Sequence, residues 1–191
     1  SLPTNLSGAS SVNGGVLNLS NSAKKEQFFG SYSTTVSGTG TLAGQALLYG
    51  ITVNAGGTLK PGNYTSSIPT GSLKTTSGVF CNVGSKAKFF LYNNKNGATS
   101  RSYLEVGGTF QLNGDLVVEA YSKYAPKAGD SFTLWTANNF MGTPSSVTLP
   151  KLPSNLAWDT SDLYKTTGVL KVVAATGISQ LGVNDEFTGS V

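Results

Sequence analysis

The stretch that decides the fold reads Val79-Phe80-Cys81-Asn82-Val83 and Ala87-Lys88-Phe89-Phe90-Leu91-Tyr92, then Leu104-Glu105-Val106, Phe110-Gln111-Leu112 and Leu116-Val117-Val118. Apolar residues tend to recur at every second position, and Gly, Asn or Ser residues separate the runs. Because successive side chains of a strand point to opposite faces, this period predicts short strands joined by tight turns. The runs are too short and too closely spaced for helices.

The alternation divides this stretch between an inner and an outer face. The inner set is predicted to form a continuous apolar core: Val79, Cys81, Val83, Ala87, Phe89, Leu91, Leu104, Val106, Phe110, Leu112, Leu116 and Val118. The outer set consists of Phe80, Asn82, Lys86, Lys88, Phe90, Tyr92, Tyr103 and Glu105. Because the outer set faces solvent, we look there for function.

A sequence repeat indicates how these strands are arranged. Val36-Ser37-Gly38-Thr39-Gly40-Thr41-Leu42 is echoed by Val53-Asn54-Ala55-Gly56-Gly57-Thr58-Leu59, and more loosely by Val106-Gly107-Gly108-Thr109-Phe110. Such repeats are typical of a solenoid, in which each coil buries its apolar face by stacking on its neighbours. The sequence therefore predicts an all-β solenoid, with later strands forming a cap over its end.

Composition excludes several classes of function. The chain has 191 residues, which fits one domain, and its net charge of +4 comes from basic residues spread along the sequence rather than clustered as for nucleic acid. It contains no histidine, which removes His-based triads and the usual His metal ligands. The single cysteine, Cys81, excludes an intrachain disulfide and is predicted to be buried. No apolar run is long enough to span a membrane.

Several motifs carry a family resemblance. The coil repeat with Thr58-Leu59-Lys60-Pro61-Gly62, then Leu149-Pro150, Leu156-Ala157-Trp158-Asp159-Thr160-Ser161-Asp162-Leu163 and Gly168-Val169-Leu170-Lys171-Val172, resembles the last coils and cap of autotransporter-like passengers. Thr176-Gly177-Ile178-Ser179 resembles the linker before the sorting domain of type nine secretion cargo in gut and oral Gram-negative bacteria. In size, fold and context the chain also resembles a β-helical carbohydrate-binding module attached to secreted xylanases of gut bacteria.

These resemblances imply a fold and its boundaries. The expected architecture is a right-handed parallel β-helix with a C-terminal β-strand cap over residues 1–175. Regular coils are expected at about 34–121 and the cap at about 122–175, with 176–191 as a linker toward a sorting domain. The chain starts Ser1-Leu2-Pro3-Thr4, which is no signal peptide, so we expect a piece of a longer protein that is secreted or displayed on the surface of a Gram-negative bacterium.

The function implied by the narrower resemblance is non-catalytic binding of plant cell-wall polysaccharide, with xylan favoured and a glycoside hydrolase tethered in the same chain. The alternative is a structural stalk or cap of a secreted surface protein or adhesin, and a polysaccharide-degrading enzyme ranks third. No nucleic acid and no membrane is expected as a partner. The resemblance transfers no site residue.

Residues for sugar binding follow from the alternation, because sugar rings stack on exposed aromatics while amides and charges bond their hydroxyls. The predicted site consists of Phe90, Tyr92 and Tyr103, with Asn82, Lys88 and Glu105 beside them and Trp135 as a further platform. Trp158 is predicted to pack against the last coil. Tyr49 shares the parity of Ile51 and is predicted to be core. Further tyrosines lie near turns and could line a groove, but nothing distinguishes one from another: Tyr32, Tyr64, Tyr121, Tyr124 and Tyr164.

Acidic residues give no catalytic prediction. Glu105, Asp115 and Glu119 are the acids of the regular coils, and alternation sends Asp115 and Glu119 to turn and outer positions rather than into a shared pocket. No cofactor is expected. Calcium bound by Asp130, Asp159 or Asp162 stays open as an alternative, although no EF-hand or Asp-rich nonapeptide spacing is present.

Overall fold

The fold is an all-β solenoid of about four turns, which confirms the predicted class. The computed structural model describes residues 8–19, 28–29, 31–62, 71–93, 99–121 and 124–176. The linker predicted from residue 176 therefore lies outside the described residues except for Thr176. Across the described ranges there is no helix, and so none that could cross a membrane.

Strands at equivalent positions of successive coils pair in parallel and form three sheets. Sheet 1 contains β1 (Ser10–Val12), β4 (Thr34–Val36), β7 (Ile51–Val53), β10 (Val79–Cys81) and the ends of β12 (Thr99–Leu112) and β14 (Ser131–Met141). Sheet 2 contains β2 (Val16–Leu19), β5 (Thr41–Gly44), β8 (Thr58–Pro61), β11 (Lys86–Asn93), β13 (Asp115–Ala120) and β15 (Ser146–Thr148). Sheet 3 contains β3 (Phe28–Phe29), β6 (Leu47–Leu48), β9 (Gly71–Thr75) and earlier parts of β12 and β14.

The core is built from vertical ladders of like residues. In sheet 1 one buried ladder consists of Val12, Val36, Val53, Cys81 and Leu112, which are paired coil to coil. In sheet 2 the corresponding buried ladder consists of Leu42, Leu59, Ala87 and Leu116. Full burial of such an aliphatic side chain contributes about 1.5–3 kcal/mol, so the ladders hold the coils together. Burial also raises the pKa of the Cys81 thiol to about 12, in agreement with its predicted place in the core.

The predicted inner set is confirmed with the exception of Val83, which is 70% exposed. β10 ends at Cys81, and the Ser85 amide donates to the Asn82 carbonyl oxygen (3.0 Å), which closes a turn around Val83 and Gly84. Gly84 has φ +79°, a conformation that glycine adopts without steric cost. The alternation stops at this turn, and Val83 therefore points into solvent.

The corner between sheets 1 and 2 repeats this turn in successive coils. The Gly40 amide bonds the Ser37 carbonyl oxygen, and the Gly57 amide bonds the Asn54 carbonyl oxygen, both at 2.9 Å. Side chains at the corner also bond between coils, because Asn82 Nδ2 donates to Asn54 Oδ1 at 2.9 Å. The corner is thus a polar ladder, which satisfies amide groups that would otherwise be left without partners.

The cap closes the C-terminal end with antiparallel strands. β16 (Leu156–Asp159) pairs with β17 (Thr167–Ala174), and β17 pairs with β14. Trp158 packs against the core as predicted, and its Nε1 donates to the Pro150 carbonyl oxygen at 2.8 Å. Parallel pairing begins at Ser10 and continues to Thr148, so the stacked coils extend beyond the predicted bounds of about 34 and 121.

Candidate functional site

The seven predicted site residues do not lie on one surface. Lys88 and Phe90 are in β11 of sheet 2, Tyr103 and Glu105 are in the sheet 3 part of β12, and Asn82 is at the corner between sheets 1 and 2. Tyr92 and Trp135 are buried. The pairing of strands between coils therefore places on different surfaces residues that alternation along the strands had grouped together.

Trp135 has no exposed surface, which is a correction to its prediction as a sugar platform. The pairing of β14 with β17 shifts register between Thr133 and Trp135, so both Leu134 and Trp135 turn inward. The indole stacks on Phe140 with centroids 5.6 Å apart, and its Nε1 donates to the Lys165 carbonyl oxygen at 3.0 Å. This ring joins the last coil to the cap.

Tyr92 is also a correction, because it was predicted to face solvent. It lies at an outward position of β11, but β11 pairs there with β12 as an antiparallel strand, with Tyr92 opposite Ser100. The start of β12 therefore lies beside the end of β11. The Tyr92 ring is buried there, although alternation alone predicts that it is exposed to solvent.

The other predicted site residues are partly or fully accessible but engaged with neighbours. The Arg101 guanidinium lies 5.1 Å from the centroid of the Tyr103 ring, and the Tyr103 hydroxyl bonds Thr136 Oγ1 at 2.5 Å. Glu105 pairs with Lys74 at 3.4 Å. The Arg101 guanidinium thus covers one face of the Tyr103 ring, and Thr136 engages the Tyr103 hydroxyl.

The outer surface of sheet 2 is a charged surface. Lys88 Nζ lies 2.6 Å from Glu119 Oε1, and Asp115 Oδ1 accepts a hydrogen bond from Ser146 Oγ at 2.7 Å. The pKa of Lys60 is lowered, first by burial and then by the charge of Lys88. Lysine side chains on neighbouring coils and the carboxylates of Asp115 and Glu119 thus share this surface.

Asp115 and Glu119 are too far apart to act as the carboxyl pair of a glycosidase. Asp115 and Glu119 are four residues apart in β13, which places them about 13 Å from each other along the strand. Glycosidase carboxyl groups are roughly 5–5.5 Å apart in retaining enzymes and roughly 6.5–9.5 Å apart in inverting ones. Among the described residues, no three Cys, Asp or Glu side chains come together as a metal site.

An aromatic row that alternation alone does not bring together lies near the corner between sheets 3 and 1. It consists of Tyr32, Tyr49 and Phe80, which are 55%, 42% and 38% exposed. Tyr32 lies two residues before β4 and Tyr49 lies two residues before β7, so the two occupy equivalent positions on adjacent coils. Phe80 is in β10 on the next coil, three positions further along than Ser77, the residue that is equivalent to Tyr49. The row thus presents one ring in each of three successive coils.

Tyr49 was predicted to be core, which is wrong. It lies between β6 and β7, outside both strands, so the parity of Ile51 does not extend to it across Gly50. The signal that would have found the row is the parallel between Tyr32-Ser33-Thr34-Thr35-Val36 and Tyr49-Gly50-Ile51-Thr52-Val53. Equivalent positions of a repeat are stacked in a solenoid, so two exposed tyrosines at such positions become neighbours.

Backbone hydrogen bonds fix the row. The Thr34 amide donates to the Gly50 carbonyl oxygen at 2.9 Å, and the Ser77 amide donates to the Tyr49 carbonyl oxygen at 2.6 Å. The Phe80 ring rests against Gly78, since a Cβ built at Gly78 would lie 2.7 Å from Phe80 Cε2. The ring is therefore turned back toward the corner at which Tyr49 lies on the preceding coil.

On the sheet 1 side, the described strands beside the row carry no charged residue. The outer ladder of sheet 1 consists of Ser11, Thr35, Thr52, Phe80, Gln111 and Met141, paired coil to coil. We call the aromatic row and this ladder together the neutral face. The neutral face thus presents aromatic rings, hydroxyl groups, one amide and the Met141 thioether on the outside of stacked coils.

Comparison with known proteins adds no family to this description: no protein-family model matches the chain, and no curated protein matches it.

Proposed function

We propose that this chain is a non-catalytic carbohydrate-binding module for plant cell-wall polysaccharide, with xylan as the first ligand to test. The observation that carries the proposal is the row of three exposed rings, Tyr32, Tyr49 and Phe80, on successive coils. Exposed aromatic rings bind the apolar faces of sugars. Hydrogen bonds between coils, from the Thr34 amide to the Gly50 carbonyl oxygen and from the Ser77 amide to the Tyr49 carbonyl oxygen, fix the backbone near the rings before the ligand arrives.

Binding in this proposal combines stacking with hydrogen bonds. Thr35 and Thr52 lie beside the row, and Gln111 continues the ladder on the next coil after Phe80. Their hydroxyl and amide groups both donate and accept, as sugar hydroxyls do. If the chain is part of a secreted protein with a glycoside hydrolase, this binding raises the effective concentration of substrate at the tethered enzyme.

Affinity gel electrophoresis over a panel of soluble xylans, glucans and pectins tests the proposal. We expect retardation of the wild-type chain by at least one polysaccharide and about a tenfold weaker affinity in Tyr49→Ala, because truncation of an aromatic anchor costs more than about 1 kcal/mol. Tyr164→Ala is the matched control, since Tyr164 is in the cap and is 43% exposed. Absence of retardation and of heat on titration with any member of the panel would overturn the proposal.

The second candidate is a structural stalk or cap of a secreted surface protein. It is favoured by the polar corner, where inter-coil bonds such as Asn82 to Asn54 stiffen the stack without any need for an exposed ring. A stalk predicts that no polysaccharide of the panel retards the wild-type chain and that Tyr32→Ala and Tyr49→Ala leave stability unchanged, so the same gels decide between the two candidates.

A further inference from the structure

The arrangement of the rings and the lack of charged residues on the sheet 1 strands limit which polysaccharide the neutral face could bind. Resting on the function proposed above, we infer that the ligand is an uncharged, linear polysaccharide chain that lies along the coil axis, across the strands of sheet 1. The inference is carried by the order of the rings, by the sheet 1 strands beside them, which contain no charged residue, and by the position of the charged residues on the other described sheets.

The rings succeed one another across strands rather than along one strand. Phe80 lies on the coil after that of Tyr49, three positions further along its strand, with its ring turned back over Gly78. Tyr32 and Tyr49 occupy equivalent positions on adjacent coils, and adjacent parallel strands are about 4.8 Å apart. This spacing is similar to the advance per sugar residue in an extended β-linked chain. Such a chain lying along the axis would place successive sugar rings over successive coils, whereas a chain lying along a strand would meet only one ring.

No charged residue belongs to the sheet 1 strands that form this surface. Ser10–Val12, Thr34–Val36, Ile51–Val53, Val79–Cys81 and residues 109–112 and 139–141 contain no Asp, Glu, Lys or Arg. Chains of uronic acids carry a carboxylate on each sugar, and desolvating those groups against an uncharged surface costs free energy. The neutral face therefore favours neutral sugars.

The lysines of the described coils lie on the outer faces of sheets 2 and 3. Lys86 and Lys88 are in β11 and Lys60 is in β8, all on the outer face of sheet 2, where Lys88 is already paired with Glu119. On sheet 3, Lys74 is paired with Glu105. An acidic chain would be drawn to sheet 2, and such binding would weaken as salt screens the charges.

Two dependences of affinity follow from this geometry. The first is on ligand length: affinity rises as the oligosaccharide grows to cover the three rings and then levels off, because longer ligands add sugars beyond the row. The second is on salt: affinity is nearly independent of ionic strength, because no ion pair forms between the neutral face and its ligand.

Isothermal titration calorimetry tests both with neutral xylo-oligosaccharides of increasing length and with polygalacturonate, at about 50 mM and about 500 mM NaCl. We expect less than a twofold change in Kd with salt, a plateau of affinity above about four sugar residues, and no binding of polygalacturonate. Tyr49→Phe, which keeps the ring, should stay within about threefold of wild type, while Tyr49→Ala loses about tenfold. Lys86→Gln and Tyr164→Ala serve as controls on other surfaces.

The outcomes separate this inference from the function on which it rests. Binding of polygalacturonate that weakens at high salt and is reduced in Lys86→Gln, with Tyr49→Ala unchanged, would overturn the inference and leave a carbohydrate-binding module. Binding of neutral oligosaccharides without any effect of Tyr32→Ala, Tyr49→Ala or Phe80→Ala would also overturn it. No binding of any sugar by a folded chain would overturn both.

Discussion

Sheets 1 and 2 have the same construction inside and opposite chemistry outside. Inside, sheet 1 stacks Val36, Val53 and Cys81, and sheet 2 stacks aliphatic residues at the matching positions. Outside, sheet 1 presents hydroxyls, an amide and rings, whereas sheet 2 presents Lys88 paired with Glu119. One kind of coil thus supports a neutral face and a charged surface on the same core.

The difference teaches where functional information lies in a solenoid. Inner positions are limited by close packing against the coils above and below, so they resemble each other from sheet to sheet. Outer positions are free to differ, and in the described residues the ion pairs lie on sheets 2 and 3 and in the cap. Charges that are paired with each other are less available to a ligand than the unpaired rings of the aromatic row.

The largest effect expected from this comparison is on stability, and it should differ between alanine variants of two neighbouring residues of β11. Phe89 is fully buried, and Phe90 is half-buried on the outer surface of sheet 2. Phe89→Ala should lower the free energy of unfolding by about 3–5 kcal/mol, the usual cost of emptying a buried aromatic site. Phe90→Ala should cost less than about half as much, because part of its ring already faces water.

Urea unfolding followed by fluorescence measures both variants, and equal m-values would show that the same surface is exposed on unfolding. Equal losses for Phe89→Ala and Phe90→Ala would contradict the division between an inner and an outer face. Phe90→Ala also tests the residue predicted for sugar binding, since the neutral face predicts unchanged retention in affinity gels.

The fold could be predicted to a large extent because two local signals agree. Period-two alternation fixed which residues of Val79–Cys81 point inward, and the Val36 and Val53 repeats indicated stacking. The exceptions are places where a strand ends or shifts. Val83 follows the last residue of β10 in a turn, and Trp135 follows a bulge, and neither event leaves a mark in the alternation itself.

The candidate surface could be predicted much less well, because it depends on register between coils of unequal length. Phe90 and Tyr103 both point outward, but β11 belongs to sheet 2 and this part of β12 belongs to sheet 3. Alternation predicts whether a side chain points inward or outward, but it does not predict to which sheet the strand belongs. Tyr32 and Tyr49 become neighbours only when β4 pairs with β7, and the sequence repeat was the single local trace of that pairing.

A smaller effect is expected at the corner that joins the two sheets. Asn82→Ala removes the bond from Asn82 Nδ2 to Asn54 Oδ1 and should lower the free energy of unfolding by about 1 kcal/mol, the typical net value of one hydrogen bond. Asn139→Ala, at an exposed position of β14, is the stability control and should change little. Asn82 was predicted to bind sugar, so loss of retention without loss of stability would contradict the structural role assigned to it here.

The smallest effect expected is a pH dependence of stability that comes from an ion-paired carboxylate in the cap. The neutral face has no such carboxylate, so the two regions should respond differently to pH. Lys165 and Lys171 both bond the Asp162 carboxylate and lower its pKa from an ordinary 3.8 to about 2. The folded chain therefore binds fewer protons than the unfolded chain between these values. The stabilising contribution is complete above pH 3.8 and is lost as the pH falls toward 2.

Asp162→Asn keeps the shape of the side chain and removes this titration. Since Asp162 is in solvent contact, the melting temperature of the variant should fall only slightly below wild type at pH 6, and the two should converge at about pH 2. A difference that stays constant over this range would show that Asp162 acts through its hydrogen bonds alone. The neutral face has no carboxylate, so sugar affinity of the folded chain should be the same at pH 6 and pH 4 in both proteins. A parallel loss of affinity would mean that charged residues contribute to the ligand site, and the separation between the two outer surfaces would then be wrong.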